Sequence, residues 1–435
     1  MSYIDPDRID RIRHAMQSAG LDALLCCAPQ NVLMLTQYWP VLGSSFALIT
    51  RDSVALLVPE GEQDLAAHSS ADVVQTFITA SLERLTTAEA EVFPALQRLC
   101  SSLGGVRGRL GIEMGAHFVS PGYVSLHRYG ASLLEKLQRQ LPHASYSPAD
   151  ELLQTLAACK TALELNVMRK ACGIAAQAYD RGSLALAPGL TEFEVAQHFQ
   201  PTLFASAKAE NDARYGGQVW CMSGPNSAQA CFAYARSRRR QLQRGDLVLV
   251  HCNSYYKGMW TDITRTFVLG GGPSGRQQAL YDAVFRARSA ALAAIRPGVR
   301  ASHVDRAARK EMQTAGLGNA FKHQTGHGVG FGPISHNNYP RIHPASDDVL
   351  EEGMTFNVEP SAYIEGFGGV RQCDVVAVTG NGCEVMTPFL AGTVRAGSLY
   401  GNPHILKQQR APSWNVVILS DYLKDPGHLD GFPHD

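Results

Sequence analysis

Helical and strand-like spacings of apolar residues alternate over the first 150 positions. Between residues 6 and 19 apolar side chains recur at helical spacing, and Gly20 follows as a stop signal. A second helix is predicted over 88–103. Short apolar runs predict strands at 23–27, 45–50, 54–59 and 110–113. Helices alternating with short strands indicate an α/β domain over residues 1–150.

Two long helical patterns dominate the next part of the chain. One runs over 149–187 and ends at Pro188-Gly189, and the other runs over 276–296 and ends at Pro297-Gly298. Each is followed by a further helix and then by strands, which favours an internal duplication. Coincidence is the alternative, because helices often stop at Pro or Gly. A duplicated domain over 151–398 would place its site in the cleft between the halves.

A hairpin is predicted over residues 246–268, where two apolar runs flank the turn signal Lys257-Gly258. It would place His251 and Asp262 on neighbouring strands, within reach of a shared centre. Further strands are predicted over 218–231, 323–336 and 354–379, the last a hairpin turned by Gly366, Gly368 and Gly369. The segment 399–435, rich in Pro, Gly, Asn and His, is predicted to be an extended arm.

The composition describes a packed globular protein with no preference for a charged partner. Of 435 residues, 45% are apolar and 18% charged, and Lys plus Arg equal Asp plus Glu at 39 each. This balance argues against nucleic acid or a membrane surface as a partner. No signal peptide or membrane-length apolar segment is recognisable, so a cytoplasmic location is predicted. Ten cysteines without framework spacing are predicted to be mostly buried free thiols.

Five polar residues lie at strand or strand-end positions among apolar neighbours. They are His251, Asp262, His327, Glu359 and Cys373. Two imidazoles, two carboxylates and a thiol suit zinc or another first-row metal better than calcium or magnesium. Any one of them alone would be read as a core residue. The set, flanked by glycine-rich turns, predicts a functional site.

Several motifs in this region resemble one known family. GDLVLV, GMWTDITRTF, HQTGHGVG, EEGMTFNVEP and GVRQCD, in that order, resemble the pita-bread fold of creatinase, prolidase, aminopeptidase P and methionine aminopeptidase. KTALELNVMRKA and SGPN match that family too. The resemblance is strong over about 155–395, and the N-terminal part resembles the creatinase/prolidase N-terminal domain. It implies an α/β (α+β) protein with a creatinase-like N-terminal domain, a pseudo-symmetric pita-bread domain and a homodimeric assembly.

The resemblance also implies a site, from which this chain departs. Metallopeptidases of the family hold two metal ions with two Asp, one His and two Glu, and Asp262, His327 and Glu359 match three of these positions. His251 stands where the first Asp is expected, and Cys373 stands where the bridging Glu is expected.

Other positions around that site match the family only in part. The His that usually follows SGPN is absent, since Cys231-Phe232 stands there. His323 and His336 match supporting and substrate-side histidines, although Asn337 replaces the usual Glu.

The two departures remove up to two negative charges, so a pair of adjacent divalent ions is not expected. Two possibilities remain open. One is a single zinc, iron or manganese ion on Asp262, His327 and Glu359, with Cys373 or His251 as a further ligand. The other is a metal-free pocket that uses the same groups as acid and base, for which creatinase is the precedent.

The leading prediction is an enzyme that acts on a small non-peptide molecule, by C–N bond hydrolysis or a related lyase step. His251 or His327 would be the general acid or base, and Glu359, His323 and His336 are further candidate catalytic residues. The first alternative is a metal-dependent Xaa-Pro-type peptidase. The second is a catalytically inactive homologue that binds a partner.

Overall fold

The structure of the protein is a computed structural model that describes residues 5–41, 45–79, 86, 88–114, 131–206, 214–231, 237–389 and 394–395. The arm predicted over 399–435 lies outside these residues. Within them, no helix combines the length and the apolar composition that crossing a bilayer requires. All ten cysteines are free thiols, seven of them buried.

The N-terminal part is a mixed six-stranded sheet with helices on its two faces. Its elements are α1 (Pro6–Ser18), β1 (Ala23–Cys26), α2 (Pro29–Thr36), β2 (Phe46–Thr50), β3 (Val54–Pro59), α3 (Gln63–Ala66), β4 (Val73–Phe77), α4 (Ala88–Ser102), β5 (Gly108–Ile112), α5 (Ala131–Gln140) and β6 (Ala144–Pro148). The strand order is β4-β3-β2-β1-β5-β6. Separate apolar clusters fill the two faces. The α/β domain predicted from the spacing is confirmed.

The remainder of the chain contains five α-helices and several short sheets among its described residues. Its elements are α6 (Asp150–Ala158), α7 (Ala162–Leu184), α8 (Glu192–Ser206), β7 (Tyr215–Ser223), β8 (Leu247–Tyr256), β9 (Met259–Val268), α9 (Gly275–Ala294), α10 (Ala301–Thr314), β10 (Gly326–His327), β11 (Gly330–Phe331), β12 (Arg341–Ile342), β13 (Thr355–Val358), β14 (Ser361–Ile364), β15 (Gly368–Arg371), β16 (Asp374–Thr379), β17 (Gly382–Val385) and β18 (Val394–Arg395).

Two helix pairs cover the sheets of this second part. Helices α7 and α8 share an apolar cluster with β7, β8 and β9, while α9 and α10 share another with β13 and β16. A Pro-Gly dipeptide lies between the two helices of each pair. Its glycine has a positive φ in both cases, 93° at Gly189 and 82° at Gly298. The repeated arrangement agrees with the predicted duplication, and the site lies where the two sheets meet.

The predicted hairpin is formed by β8 and β9. Its turn residues Lys257 and Gly258 both have positive φ, 49° and 81°, which matches the right-handed twist of the two strands. The register pairs His251 with Thr264 and Asn253 with Asp262. His251 and Asp262 are therefore diagonal neighbours on one face of the sheet.

Two predicted elements are interrupted in the structure. The helix expected over 149–187 is two helices, because Thr161 and Glu164 form a capping box that starts α7 afresh. The strand expected over 218–231 ends at Ser223, and a 3₁₀ helix follows from Gly224, whose φ is 46°.

The two glycine-rich segments that carry site residues are also less regular than predicted. Residues 323–336 contain only the two-residue strands β10 and β11. The hairpin over 354–379 is broken into β13–β14 and β15–β16, and Gly368 and Gly369 belong to β15 while Gly366 alone lies in the turn. Pro360, which has no backbone N–H, helps to end β13. The breaks leave Glu359 and Cys373 between strands.

The two parts of the chain are joined by buried polar contacts. Arg8 of α1 donates through Nε to Glu164 at 2.8 Å and through Nη1 to the carbonyl oxygen of Leu156 at 2.7 Å. Asp5 accepts a hydrogen bond from the hydroxyl of Thr161. Arg8 is 1% exposed, so this network fixes α1 against the start of α7.

Candidate active site

The structure brings all five residues of the predicted constellation into one buried pocket. His251 Nδ1 lies 3.5 Å from Asp262 Oδ1, and His327 Nε2 lies 3.5 Å from Asp262 Oδ2. Glu359 Oε1 is 3.9 Å from His327 Nε2, and Cys373 Sγ is 3.6 Å from Asp262 Oδ1. Each of the five is 2% exposed or less.

Backbone bridges between short strands hold these side chains together. Thr264 and Cys373 exchange backbone hydrogen bonds, and Gly328 pairs with Phe356. Glycines allow these approaches, because a Cβ atom on Gly326 would lie 1.8 Å from the carbonyl oxygen of Asn357. The glycine-rich sequence around His327 thus serves close packing of the backbone at the site.

Asp262, Glu359 and His327 converge on one space, which we call the primary position. Asp262 Oδ2 and Glu359 Oε1 are buried and have no hydrogen-bond partner among the described residues. His327 Nδ1 lies 3.2 Å from the carbonyl oxygen of Gly328, which can only accept, so Nδ1 carries a proton. The lone pair of His327 is therefore on Nε2, the atom that faces both carboxylates.

Asn357, which the sequence reasoning missed, fixes this orientation. Its Oδ1 accepts from the backbone N–H of His327 at 2.7 Å. Its amide nitrogen faces His327 Nε2 at 3.2 Å and donates to Cys373 Sγ at 3.5 Å. Asn357 lies in β13 two positions before Glu359, a spacing that could have identified it.

His251 is held in the opposite tautomer. The guanidinium of Arg371, which can only donate, places Nη2 at 2.8 Å from His251 Nδ1. The hydroxyl of Thr264 lies 2.9 Å from the same nitrogen and accepts from Arg371 Nε at 3.0 Å. Nδ1 is thus an acceptor, and the neutral ring carries its proton on Nε2. The ring also stacks on Trp220, with centroids 5.3 Å apart.

Cys373 is a protonated thiol inside the pocket. Its Sγ donates to the backbone carbonyl oxygen of Asp262 at 3.1 Å. Burial and the nearby carboxylates of Asp262 and Glu359 raise the pKa of Cys373 well above its usual value. The Sγ atom still lies within 4.8 Å of an oxygen from each of these carboxylates, so it is within reach of an ion that they hold.

His323 and His336 occupy different surroundings. Both ring nitrogens of His323 have partners: Nδ1 contacts the carbonyl oxygen of Gln324 at 2.7 Å, and Nε2 faces the hydroxyls of Tyr363 and Ser361. His336 is exposed at the mouth of the pocket, and its ring lies edge-on to His327 with centroids 5.4 Å apart. His323 supports the wall, whereas His336 can meet a ligand.

The ionisation of the pocket follows from burial and from the neighbouring charges. Burial lowers the pKa of His251 to about 3, so its ring is neutral near pH 7. Burial and the carboxylate of Asp262 raise the pKa of Glu359 to about 7. Burial would raise the pKa of Asp262, but the neighbouring histidines and Arg371 outweigh it and hold that pKa well below its usual range.

The fold and the pocket together define the class of protein. A creatinase-like N-terminal domain followed by a domain with a buried carboxylate and imidazole pocket defines the two-domain enzymes of the prolidase and creatinase type. A model of the creatinase/prolidase N-terminal domain matches residues 8–158, and a model of metallopeptidase family M24 matches residues 166–380. The chain belongs to metallopeptidase family M24, and the resemblance stated from its motifs is confirmed.

Several proteins similar to this chain are named as peptidases. An Xaa-Pro dipeptidase of Pyrococcus horikoshii is 28% identical over 381 residues, which cover 88% of this chain and 97% of the relative. An uncharacterized peptidase of Staphylococcus saprophyticus is 32% identical over 263 residues, covering 60% and 72%. The crystal structure of the prolidase from Pyrococcus horikoshii OT3 matches with a TM-score of 0.70 and 27% identity, over 89% of this chain and 99% of that one.

These relationships support a hydrolase and a metal-dependent family. They do not support the leading prediction of a small non-peptide substrate, and they favour its first alternative, the Xaa-Pro-type peptidase. That prediction gave the most weight to His251 and Cys373, the two positions at which the chain departs from the family's ligands. Those departures bear on the metal centre more directly than on the substrate.

Proposed function

We propose that the protein hydrolyses the C–N amide bond of a dipeptide-sized substrate of the Xaa-Pro type, with a divalent metal ion in the primary position. The observation that carries this proposal is the convergence of Asp262 Oδ2, Glu359 Oε1 and His327 Nε2 in a buried space. Two buried carboxylate oxygens without hydrogen-bond partners among the described residues are costly unless a cation or a proton meets them.

The residues present fit one metal ion in that position. Nitrogen and oxygen ligands of this kind suit zinc, iron or manganese. When bound, the ion would supply Lewis acidity toward the substrate carbonyl and lower the pKa of a water molecule. His327 Nε2 has a lone pair for a metal ion only when the imidazole ring is neutral. Binding of the ion would therefore release any proton held between His327 Nε2 and the Glu359 carboxylate.

Side chains around the primary position would orient and serve the substrate. His336 lies on the exposed side and can accept or donate a proton at a ring nitrogen during departure of the amine. His323 acts through Tyr363 and Ser361 as a positioning residue for the pocket wall. His251 acts as a positioning residue for Arg371, since its acceptor nitrogen is already engaged.

A substrate panel tests the proposal. Purified protein is incubated with manganese, zinc or ferrous iron and with Xaa-Pro dipeptides, matched Xaa-Ala dipeptides and creatine, and amine release is measured. We expect cleavage of Xaa-Pro dipeptides. In Glu359→Gln the rate of cleavage should fall by at least about 100-fold, because losing even a residue that only supports a metal ligand can cost that much. Asp347→Asn is the matched control, because Asp347 is exposed and pairs with Arg300, which is not a pocket residue.

Each other outcome favours a different reading. Creatine hydrolysis without dipeptide cleavage would support the non-peptide prediction and overturn the proposal. No turnover of any compound, combined with tight binding of an Xaa-Pro dipeptide, would support the inactive binding homologue.

A further inference from the structure

We propose that the pocket binds one divalent ion and that a neutral His251 hydrogen-bonded to the Arg371 guanidinium takes the place of a second ion. The second position is the space beside Asp262 Oδ1 that His251 and Cys373 border. The inference rests on the proposed function only in requiring that the primary position takes a metal ion. It concerns how many ions the chain holds, whatever the substrate.

The primary position has the donors that a single ion needs. Asp262 Oδ2, Glu359 Oε1 and His327 Nε2 face one another, and the proton on His327 Nδ1 leaves Nε2 as the donor atom. Cys373 Sγ lies close enough to both carboxylates to become a fourth ligand on losing its proton. Three or four donors from N, O and S atoms match a catalytic zinc-like site.

The second position lacks such donors. In the resembling two-metal enzymes, carboxylates stand where this chain has His251 and Cys373. His251 cannot replace a carboxylate here, because its Nδ1 lone pair accepts from Arg371 Nη2 and its Nε2 carries the ring proton. The Cys373 thiol offers one ligand atom where a carboxylate offers two. Its S–H group also donates a hydrogen bond to the backbone carbonyl oxygen of Asp262.

A fixed positive charge already lies beside the second position. Arg371 is 3% exposed, and its guanidinium contacts His251 and Thr264 and comes within 3.8 Å of Glu359 Oε2. The carboxylates that border the pocket are those of Asp262 and Glu359, and they already face this guanidinium. A second divalent ion would add buried positive charge with no further carboxylate among the described pocket residues to offset it, which is costly.

Metal counting on the full-length protein tests the inference without an activity assay. Protein stripped with a chelator is titrated with zinc or manganese by calorimetry, and the bound metal is measured by elemental analysis after gel filtration. We expect one ion per chain. Two ions in the wild-type protein, or none at any concentration tested, would overturn the inference.

A pair of double variants separates charge from shape. His251→Asp with Cys373→Glu restores both carboxylates and should raise the count from one ion to two. His251→Asn with Cys373→Gln gives nearly the same shapes without the charges and should not reach two ions. If both double variants bind one ion, the missing carboxylates are not the cause and the inference fails. Far-ultraviolet circular dichroism checks that each variant is folded.

Nitrogen NMR of the histidines gives a test that needs no variant to gain function. In protein labelled with ¹⁵N-histidine, zinc should shift the Nε2 resonance of His327 and leave His251 as the Nε2–H tautomer. Single variants His251→Asn and His327→Asn assign the two signals. Loss of the His251 Nε2–H signal on zinc addition would show that His251 ligates, which contradicts the inference.

These readouts are independent of the substrate. One ion per chain with no dipeptide cleavage would leave the inference intact and remove the proposed function. Two ions per chain with dipeptide cleavage would do the reverse.

Discussion

Replacing Asp374 by Asn should strongly destabilise the protein, because this carboxylate forms ion pairs with two buried arginines. Asp374 is fully buried and accepts from Arg265 Nη2 at 2.6 Å and from Arg288 Nε at 2.5 Å. Arg265 in turn donates to the backbone carbonyl oxygens of Thr264 and Cys373, where β9 meets the segment between β15 and β16. Asp374→Asn leaves both guanidinium groups without their counter-charge.

The magnitude follows from two routes. Breaking a buried ion pair by removing one partner costs about 3–5 kcal/mol. Burial opposes ionisation, yet Arg265 and Arg288 lower the pKa of Asp374 from 3.8 to about 2. That shift corresponds to about 2.4 kcal/mol of stability near neutral pH. The second figure covers the charge alone, so we expect the full cost of the substitution to exceed it.

The sign of the pH dependence follows from the lowered pKa. A carboxylate whose folded-state pKa is depressed contributes its stability above the unfolded pKa of 3.8 and loses it as the pH falls through about 2. By about pH 3 the wild-type protein should have lost ~1 kcal/mol of this contribution. The difference between wild type and Asp374→Asn should shrink by the same amount.

Urea unfolding near pH 7 and near pH 3 measures both effects. The matched control is Asp347→Asn, which removes an exposed partner of Arg300 and should change the free energy of unfolding by less than about 0.5 kcal/mol at either pH. A cost for Asp374→Asn that is no larger than the control, or a difference that is the same at both pH values, would refute the reasoning.

Three further predictions concern the domain contact, the metal and the assembly. Arg8→Met should lower the free energy of unfolding in urea by about 3–5 kcal/mol, because it removes the ion-pair partner of the buried Glu164 carboxylate. Arg11→Met on the exposed side of the same helix should lower it by less than about 0.5 kcal/mol, and equal costs would contradict this. A chelator should lower the thermal unfolding temperature of the wild type, because an ion at a free concentration about 100 times its Kd stabilises the folded protein by ~2.7 kcal/mol. The unfolding temperature of His327→Asn should not change on addition of the chelator. The predicted homodimer should appear in light scattering at about twice the 47.1 kDa of one chain, and a monomeric mass would exclude it.

Elements with strong local signals could be predicted from the sequence. The hairpin of β8 and β9 has two apolar runs and a Lys-Gly turn that takes positive φ, so local and global preferences agree. The long helix over 149–187 could not be placed correctly by periodicity, because apolar spacing continues across Thr161. Thr161 followed by Glu164 three residues later is a capping-box pattern in the sequence, and this pattern marks the start of a separate helix.

The composition of the pocket was predictable, but the supporting contacts were not. Asp262, His327 and Glu359 stand out because polar side chains in apolar strands need a reason. Asn357 and Thr264 are less conspicuous, since Asn and Thr occur in many strands without a functional role. Their importance depends on contacts between segments far apart in the chain, such as the bridge between Thr264 and Cys373. Spacing along the sequence carries no information about that bridge.

Residue type alone also overcounts the ligands of this pocket. His251 and His327 are both buried imidazoles beside Asp262, and residue type offers no basis for ranking one above the other as a ligand. The carbonyl oxygen of Gly328 keeps the proton of His327 on Nδ1, whereas the guanidinium of Arg371 keeps the proton of His251 on Nε2. The lone pair of His327 Nε2 therefore faces the carboxylates, whereas the lone pair of His251 Nδ1 accepts a hydrogen bond from Arg371. A histidine whose lone pair already accepts from a buried arginine therefore does not supply the ligand that an aspartate at position 251 would supply.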